Sequence, residues 1–206
     1  MRVAVVGGTG AFGKALAIRL KEAGYEVVVG SRDTERAAAV AGELGVEGLT
    51  NEEAARSADL VVLATNADAT LATAEQLRDA LGDTPVLCVA SELRFTQQGV
   101  FPCTDGLSLA ERVQAAVEAP VVAGLHSLAA RSLGGEEAPE EDALVCGDDD
   151  TAKGLVLELA GRLTRGRAVD AGPLASARAL EGLTAVLVNV NKRYKAHAGI
   201  TLTGLP

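Results

Sequence analysis

Met1-Arg-Val-Ala-Val-Val-Gly-Gly-Thr-Gly-Ala-Phe-Gly-Lys14 is the stretch that decides how the rest of the chain is read. Residues 3–6 form a short apolar run, the pattern of a buried parallel strand. Gly7 breaks it, and a helix pattern follows over residues 11–20. Between them Gly8, Gly10 and Gly13 stand in G-x-G-x-x-G spacing. In that arrangement the first glycine permits the tight turn, the second lets a pyrophosphate approach the backbone, and the third lets helix and strand pack closely. The helix then presents its free N–H groups and positive dipole end to the phosphates. Glycine clusters also make ordinary turns, so the spacing alone says little. Its place directly after a strand and at the opening of a helix makes it a dinucleotide-binding signal.

The 206 residues suit one compact domain, or one domain with a small appendage. Apolar residues make up 48% but aromatics only 2%, so the core must be Val, Leu and Ala, as in a parallel sheet flanked by helices. A net charge of −9 argues against nucleic acid or an anionic membrane surface as partner, because both need a basic face. No run approaches the roughly 18 apolar residues of a spanning helix. The first strand starts almost at once, which leaves no room for a signal peptide and makes the cytoplasm the expected compartment. Cys88, Cys103 and Cys146 are odd in number and widely spaced, and read as reduced packing thiols.

A second strand over residues 25–29 ends at Gly30-Ser31-Arg32, and Asp33 can cap the Ala-rich helix over 34–44. Gly45 is placed to end that helix. Residues 46–49 read as a short strand, 51–56 as a short helix and 59–64 as a buried strand with Thr65 and Asn66 at its carboxyl end. Helix 70–81 and strand 85–90 complete a strand–helix alternation. The fold class is therefore α/β, a doubly wound, mainly parallel Rossmann sheet. Residues 91–106 read as irregular. Helix 108–117, strand 121–125, the segment His126-Ser-Leu-Ala-Ala130 and an acidic loop over 134–142 come next. Strand 143–146, helix 151–163, strand 167–170 and an apolar helical run from 174 to 190 follow, with Pro173 in its first turn. The seam puts a dinucleotide-binding domain at residues 1–125 and a small C-terminal α/β extension, folded onto the sheet, at 126–206.

The end of the second strand selects the dinucleotide. An acidic residue there holds the ribose 2′-OH of NAD, whereas a small polar residue with Arg or Lys accommodates the 2′-phosphate of NADP. Here Ser31 and Arg32 occupy the strand end and Arg36 lies one helical turn on, so two guanidinium groups can reach one phosphate. Asp33 stands at a distance from Gly13 that also suits a ribose contact, although helix capping explains it more economically.

Several blocks resemble the NADPH-dependent reductases of the deazaflavin coenzyme F420. They are Gly7-Gly-Thr-Gly10, Val29-Gly-Ser-Arg32, Leu125-His126 with Ala129-Ala130, Val145-Cys-Gly-Asp-Asp-Asp150, Asp170-Ala-Gly-Pro-Leu174 and Leu180-Glu-Gly-Leu-Thr184. The likeness covers nearly the whole chain, and the three blocks after residue 125 are its specific part, because any Rossmann protein shares the first two. The resemblance implies direct hydride transfer between NADP(H) and F420, held in a cleft between the Rossmann domain and the C-terminal part. It implies a homodimer, with the 174–190 helix as a surface. By position, Thr9, Gly10, Ala11 and Phe12 would face the pyrophosphate, and Ser31, Arg32 and Arg36 the 2′-phosphate. The loop from His126 to Ala130 would border the two rings, and Thr65 and Asn66 join the cofactor-binding set. No nucleophile and no metal is required, in keeping with two histidines and no metal-ligand spacing.

Some residues admit a second reading. His126 follows a buried strand, where a backbone-bonded histidine is common. Asp148–Asp150 fit a helix N-terminus better than a divalent ion. Lys192, Arg193, Lys195 and His197 form a basic cluster in an acidic chain, suited to a helix C-terminus or to the anionic tail of F420. Where the family has an apolar, proline-containing stretch after its fifth strand, this chain has Ser91-Glu92-Leu93-Arg94-Phe95, and Asn66-Ala67-Asp68 stands where a bulky residue is usual. Other readings are an NADP-dependent reductase of another flavin or of a small imine or keto acid, and a non-catalytic NADP sensor.

Overall fold

The computed structural model describes residues 1–103 and 106–205. Its strands in chain order are β1 (Arg2–Val6), β2 (Glu26–Ser31), β3 (Glu47–Thr50), β4 (Leu60–Leu63), β5 (Val86–Cys88), β6 (Leu93–Thr96), β7 (Gly99–Pro102), β8 (Val121–Gly124), β9 (Ala143–Gly147) and β10 (Ala168–Asp170). The helices are α1 (Ala11–Glu22), α2 (Thr34–Leu44), α3 (Asn51–Arg56), α4 (Ala67–Leu81), α5 (Leu109–Ala116), α6 (Ala130–Leu133), α7 (Asp150–Leu163) and α8 (Ala177–Tyr194). Eight strands form one sheet in the order β10-β9-β8-β5-β4-β1-β2-β3. From β3 to β8 every pairing is parallel. The connections leave β1 in opposite directions, so the topological switch lies between β1 and β4. A ligand crevice is expected at the carboxyl ends of those two strands.

Both faces of the sheet are covered, and the apolar runs of the strands alternate between two cores. Val3, Val5, Val29 and Val62 pack with Leu16 and Leu20 of α1 and Leu159 of α7. Ala4, Val6, Val61 and Leu63 pack with Leu77 of α4, Val113 of α5 and Leu180 of α8. Asp33 caps α2, its carboxylate accepting from Arg36 N at 3.0 Å, and Gly45 ends that helix in the left-handed region. Asp149 caps α7 by accepting from Ala152 N at 2.7 Å, so the aspartate run is a helix N-terminus.

Three expectations change. Residues 91–106 are not irregular: β6 and β7 form an antiparallel hairpin. Asn189 of α8 holds it, accepting from Val100 N at 2.8 Å and donating to Val100 O at 2.6 Å. The strands are short and mostly exposed, so no apolar alternation announces them; Thr104 and Asp105 of that stretch lie outside the described residues. Beyond residue 125 the chain first extends the same sheet, with β9 antiparallel to β8 and β10 parallel to β9, before α8 packs back onto it. The cysteines also divide. Cys88 and Cys146 are buried and burial pushes both thiols up to about 12, whereas Cys103 is exposed.

The acidic loop over 134–142 is pinned at both ends. The buried Arg19 of α1 donates to the carbonyls of Leu133, Gly135 and Glu137 at 3.0, 2.6 and 3.0 Å. Asp142 accepts from the Arg167 side chain and backbone and from Leu202 N, which holds its carboxyl well below the usual range.

Candidate functional site

A two-lobed crevice opens at the switch point. The narrow lobe, about 240 Å³, lies over Gly7, Thr9, Ser31, Arg32, Arg36 and Asn51. The wide lobe, about 460 Å³, runs from Ala11 and Phe12 past His126 to α8. The two share Gly10, Ala64, Thr65 and Asn66, so they form one continuous channel.

The glycine loop is built differently from the simplest reading of its motif. The residue with positive φ, +80°, is Gly7 and not Gly8, so Gly7 makes the turn. Gly8 is needed for space, because a Cβ there would lie 2.8 Å from Val5 O. At Gly13 a Cβ would lie 2.7 Å from both Gly7 O and Gly8 Cα, so α1 seats on the loop only with glycine there. Gly10 is the informative one. A Cβ on it would meet nothing nearer than Gly7 O at 3.5 Å, so the fold makes no demand for glycine at this position. The space it leaves belongs to the crevice, at the N-terminus of α1, where an anion is favoured.

At the far end of the narrow lobe Arg32 and Arg36 are exposed, while Ser31 is buried with its hydroxyl accepting from Asp33 N at 3.2 Å. A guanidinium nitrogen of Arg36 reaches Thr9 O at 3.4 Å, bringing the α2 cation over the glycine loop. Asp33 also faces this lobe, but one carboxylate oxygen is engaged as the α2 cap. Asn51 was not anticipated. Its buried Oδ1 has no partner among the described residues.

The wide lobe is shaped by a strained turn. Leu125, buried and at φ +64°, occupies a region that costs a leucine of the order of 1–2 kcal/mol. It turns the chain so that His126 to Ala130 all line the crevice. The His126 Nε2 lies 3.4 Å from Ala90 O; a carbonyl only accepts, so Nε2 carries the proton. Burial lowers the ring pKa from 6.5 to about 4, so the imidazole is neutral and Nδ1 is a bare acceptor. That atom is buried without a partner.

The opposite wall is α8, whose apolar run the sequence assigns to a subunit surface. Thr184 donates to His126 O at 3.0 Å and lies 3.0 Å from the Ser91 hydroxyl, tying α8 to two strand ends. Leu187, Val188 and Asn191 continue the wall. The one available signal was the block ending in Thr184, where a polar residue interrupts an apolar helix face.

Residues 2–91 match the family described as NADP oxidoreductase, coenzyme F420-dependent. Over the whole chain the protein is 34% identical, across 226 residues, to the F420-dependent NADP reductase of Methanothermobacter thermautotrophicus, covering 100% of this chain and 96% of that protein. It is 35% identical, across 224 residues, to the F420-dependent NADP reductase of Methanocaldococcus jannaschii, covering 100% of this chain and 99% of that protein. The chain belongs to the F420-dependent NADP reductase family. The crystal structure of a proposed family member from Arthrobacter superimposes with a TM-score of 0.86 at 26% identity, covering 99% of this chain and 100% of that one.

The charged stretch after β5, Ser91 to Phe95, does not fill the crevice. Ser91 and Leu93 line the wide lobe, whereas Glu92 pairs with Arg112 at 2.6 Å and Arg94 is exposed. Within β6 the period-2 alternation separates Leu93 from Arg94, and the ion pair with Arg112 holds Glu92 aside. A crevice with a cationic polar end and an apolar end holding one orphaned acceptor fits a phosphorylated dinucleotide joined to a flat heterocycle.

Proposed function

We propose that the protein transfers a hydride between NADP(H) and the deazaflavin coenzyme F420. The observation that carries this reading is the continuous crevice itself. Its narrow, arginine-bordered lobe suits the 2′-phosphate and pyrophosphate, and its wide apolar lobe has room for ring systems. The two coenzymes, when bound, supply the chemistry, a hydride passing between the nicotinamide C4 and the deazaflavin C5. The protein's part is to bind, orient and keep water out.

Thr9, Gly10, Ala11 and Phe12 face the pyrophosphate, with Gly8 and Gly13 shaping the loop beneath. Ser31, Arg32 and Arg36 take the 2′-phosphate. Thr65 and Asn66 border the junction of the lobes. His126 accepts a hydrogen bond at Nδ1 from a ring or amide N–H and stays neutral through the working pH range, so it positions a ring rather than moving a proton. Ala130, with the rest of the His126 loop, closes one side of the wide lobe, and α8 closes the other. Residues 1–125 thus form the dinucleotide-binding unit, and 126–206 complete the deazaflavin cleft. No side chain need act as nucleophile or metal ligand.

No helix among the described residues is long and apolar enough to cross a membrane. The −9 charge favours small-molecule partners over nucleic acid, and the three unpaired thiols favour the cytoplasm. A homodimer is supported by apolar side chains exposed on α8 and the hairpin, Val186 at 56% and Phe95 at 66%. Anaerobic mixing with NADPH tests the activity: loss of the deazaflavin visible band with equimolar NADPH consumed is expected. NADPH that stays unoxidised with the deazaflavin, or is consumed only with an imine, a keto acid or a flavin, would overturn the reading.

A further inference from the structure

Three cations, Lys192, Arg193 and Lys195, fall within four positions at the end of α8, in a chain of net charge −9. Among the described residues none of them forms an ion pair. Lys192 and Lys195 border a second cavity of about 430 Å³, which Val188, Asn191, Ala196 and His197 also line. Val188 and Asn191 also line the wide lobe, so this cavity is the outward continuation of the crevice.

The basic turn is built, not frayed. Asn191 folds it back on α8, its Oδ1 accepting from Ala198 N at 2.6 Å and its backbone carbonyl accepting from Ala196 N at 3.2 Å. Lys192 lies over the Phe95 ring of the hairpin, 5.3 Å from the centroid. Lys195 sits in the left-handed region at φ 50°, ψ 44°, the position after a helix where glycine avoids a strain that a side chain must carry. Complementing the helix dipole accounts for Lys192 and Arg193 in the last turn, since the dipole presents only about half a charge. It does not account for a strained lysine beyond the helix, turned to the same cavity.

We propose that this turn holds the anionic tail of the deazaflavin substrate, its phosphodiester and glutamate carboxylates, as the ring enters the wide lobe. The inference rests on the proposed function above, in that the wide lobe takes the deazaflavin ring. Lys192 and Lys195 flank the tail where it leaves the crevice, and His197 borders the same opening.

The test compares binding of two probes to the whole protein, read from deazaflavin fluorescence: coenzyme F420 and its tail-less deazaflavin riboside. Wild type is expected to bind the tailed form at least about tenfold more tightly at low salt, with the preference shrinking as salt screens the cations. Lys192→Gln with Lys195→Gly should remove most of that preference, while affinity for the riboside and for NADPH changes less than about twofold. Lys195→Gly alone should weaken binding of the tailed form while its Tm stays at or above that of wild type, which separates binding from folding. Equal binding of the two probes by wild type would overturn this site alone, as would a double variant that keeps the preference. Binding of neither probe would overturn the proposed function and this site together.

Discussion

Replacing Arg32 and Arg36 by alanine probes the choice of dinucleotide. Both guanidinium groups are exposed at the rim of the narrow lobe, so each contact to a 2′-phosphate is screened by water. Two charges about 4 Å apart near a protein surface interact by roughly 4 kcal/mol before desolvation and entropy are subtracted, and exposed pairs keep only part of that. About 1.5 kcal/mol per arginine is a reasonable remainder for a charge-assisted contact. The double variant should then lose about 3 kcal/mol, or on the order of 100-fold, in NADPH affinity. NADH has no 2′-phosphate and should change by less than about threefold. Titration calorimetry with both nucleotides, at two ionic strengths, reads the difference. Asp33→Asn is the control: asparagine still caps α2, so α2 stays in place while the negative charge is removed. Equal losses for NADPH and NADH in the double variant would refute the assignment of these arginines. So would a collapse of NADH binding in Asp33→Asn, which would give the ribose to Asp33.

Gly13→Ala would put a Cβ 2.7 Å from the backbone of Gly7 and Gly8, and backbone atoms cannot step aside. Thermal unfolding should show a loss of about 2 kcal/mol together with weakened NADPH binding; an unshifted Tm would contradict the packing. Arg19→Met should cost about 2–3 kcal/mol in urea unfolding, because it strips three loop carbonyls of their donor; a change under 0.5 kcal/mol, a threshold set roughly at the scatter of surface substitutions, would refute its role. His126 should make stability fall on acidification. The unfolded chain takes up the proton near pH 6.5 and the folded one only near 4, so about 2–3 kcal/mol is lost as pH drops through that window. The window of Asp142 lies lower, because its folded carboxyl is held below 3.8. Glu181, pushed up by burial, acts in the opposite sense and loses stability as pH rises above 4.5. Denaturant midpoints of wild type and His126→Gln at pH 7 and pH 4.5 isolate the histidine, and parallel falls in both would refute it.

The dinucleotide half was legible because its determinants are local. A glycine loop between an apolar strand and a helix is written in adjacent residues, and so are the Asp33 cap and the Ser31-Arg32-Arg36 cluster. The assignment of the turn to Gly8 failed by one residue, since spacing does not reveal which glycine takes positive φ. What stayed hidden depends on contacts far apart in sequence. The β6–β7 hairpin exists because Asn189 pairs with Val100, and Thr184 meets His126 and Ser91 only after α8 folds back over the crevice. The strain at Leu125 leaves no trace in composition. The side chains of Glu92 and Arg94 look intrusive in sequence, but the ion pair with Arg112 holds Glu92 aside and the alternation of β6 turns Arg94 outward.

The most direct measurement follows the label. NADPH deuterated at the transferable C4 position, mixed anaerobically with oxidised F420 in ordinary water, should place its deuterium on C5 of the reduced deazaflavin. A reaction run in deuterium oxide with unlabelled NADPH should place none there. Deuterium appearing in the solvent, or solvent deuterium appearing at C5, would show that the two rings do not meet in this crevice, and the account would fail at its centre.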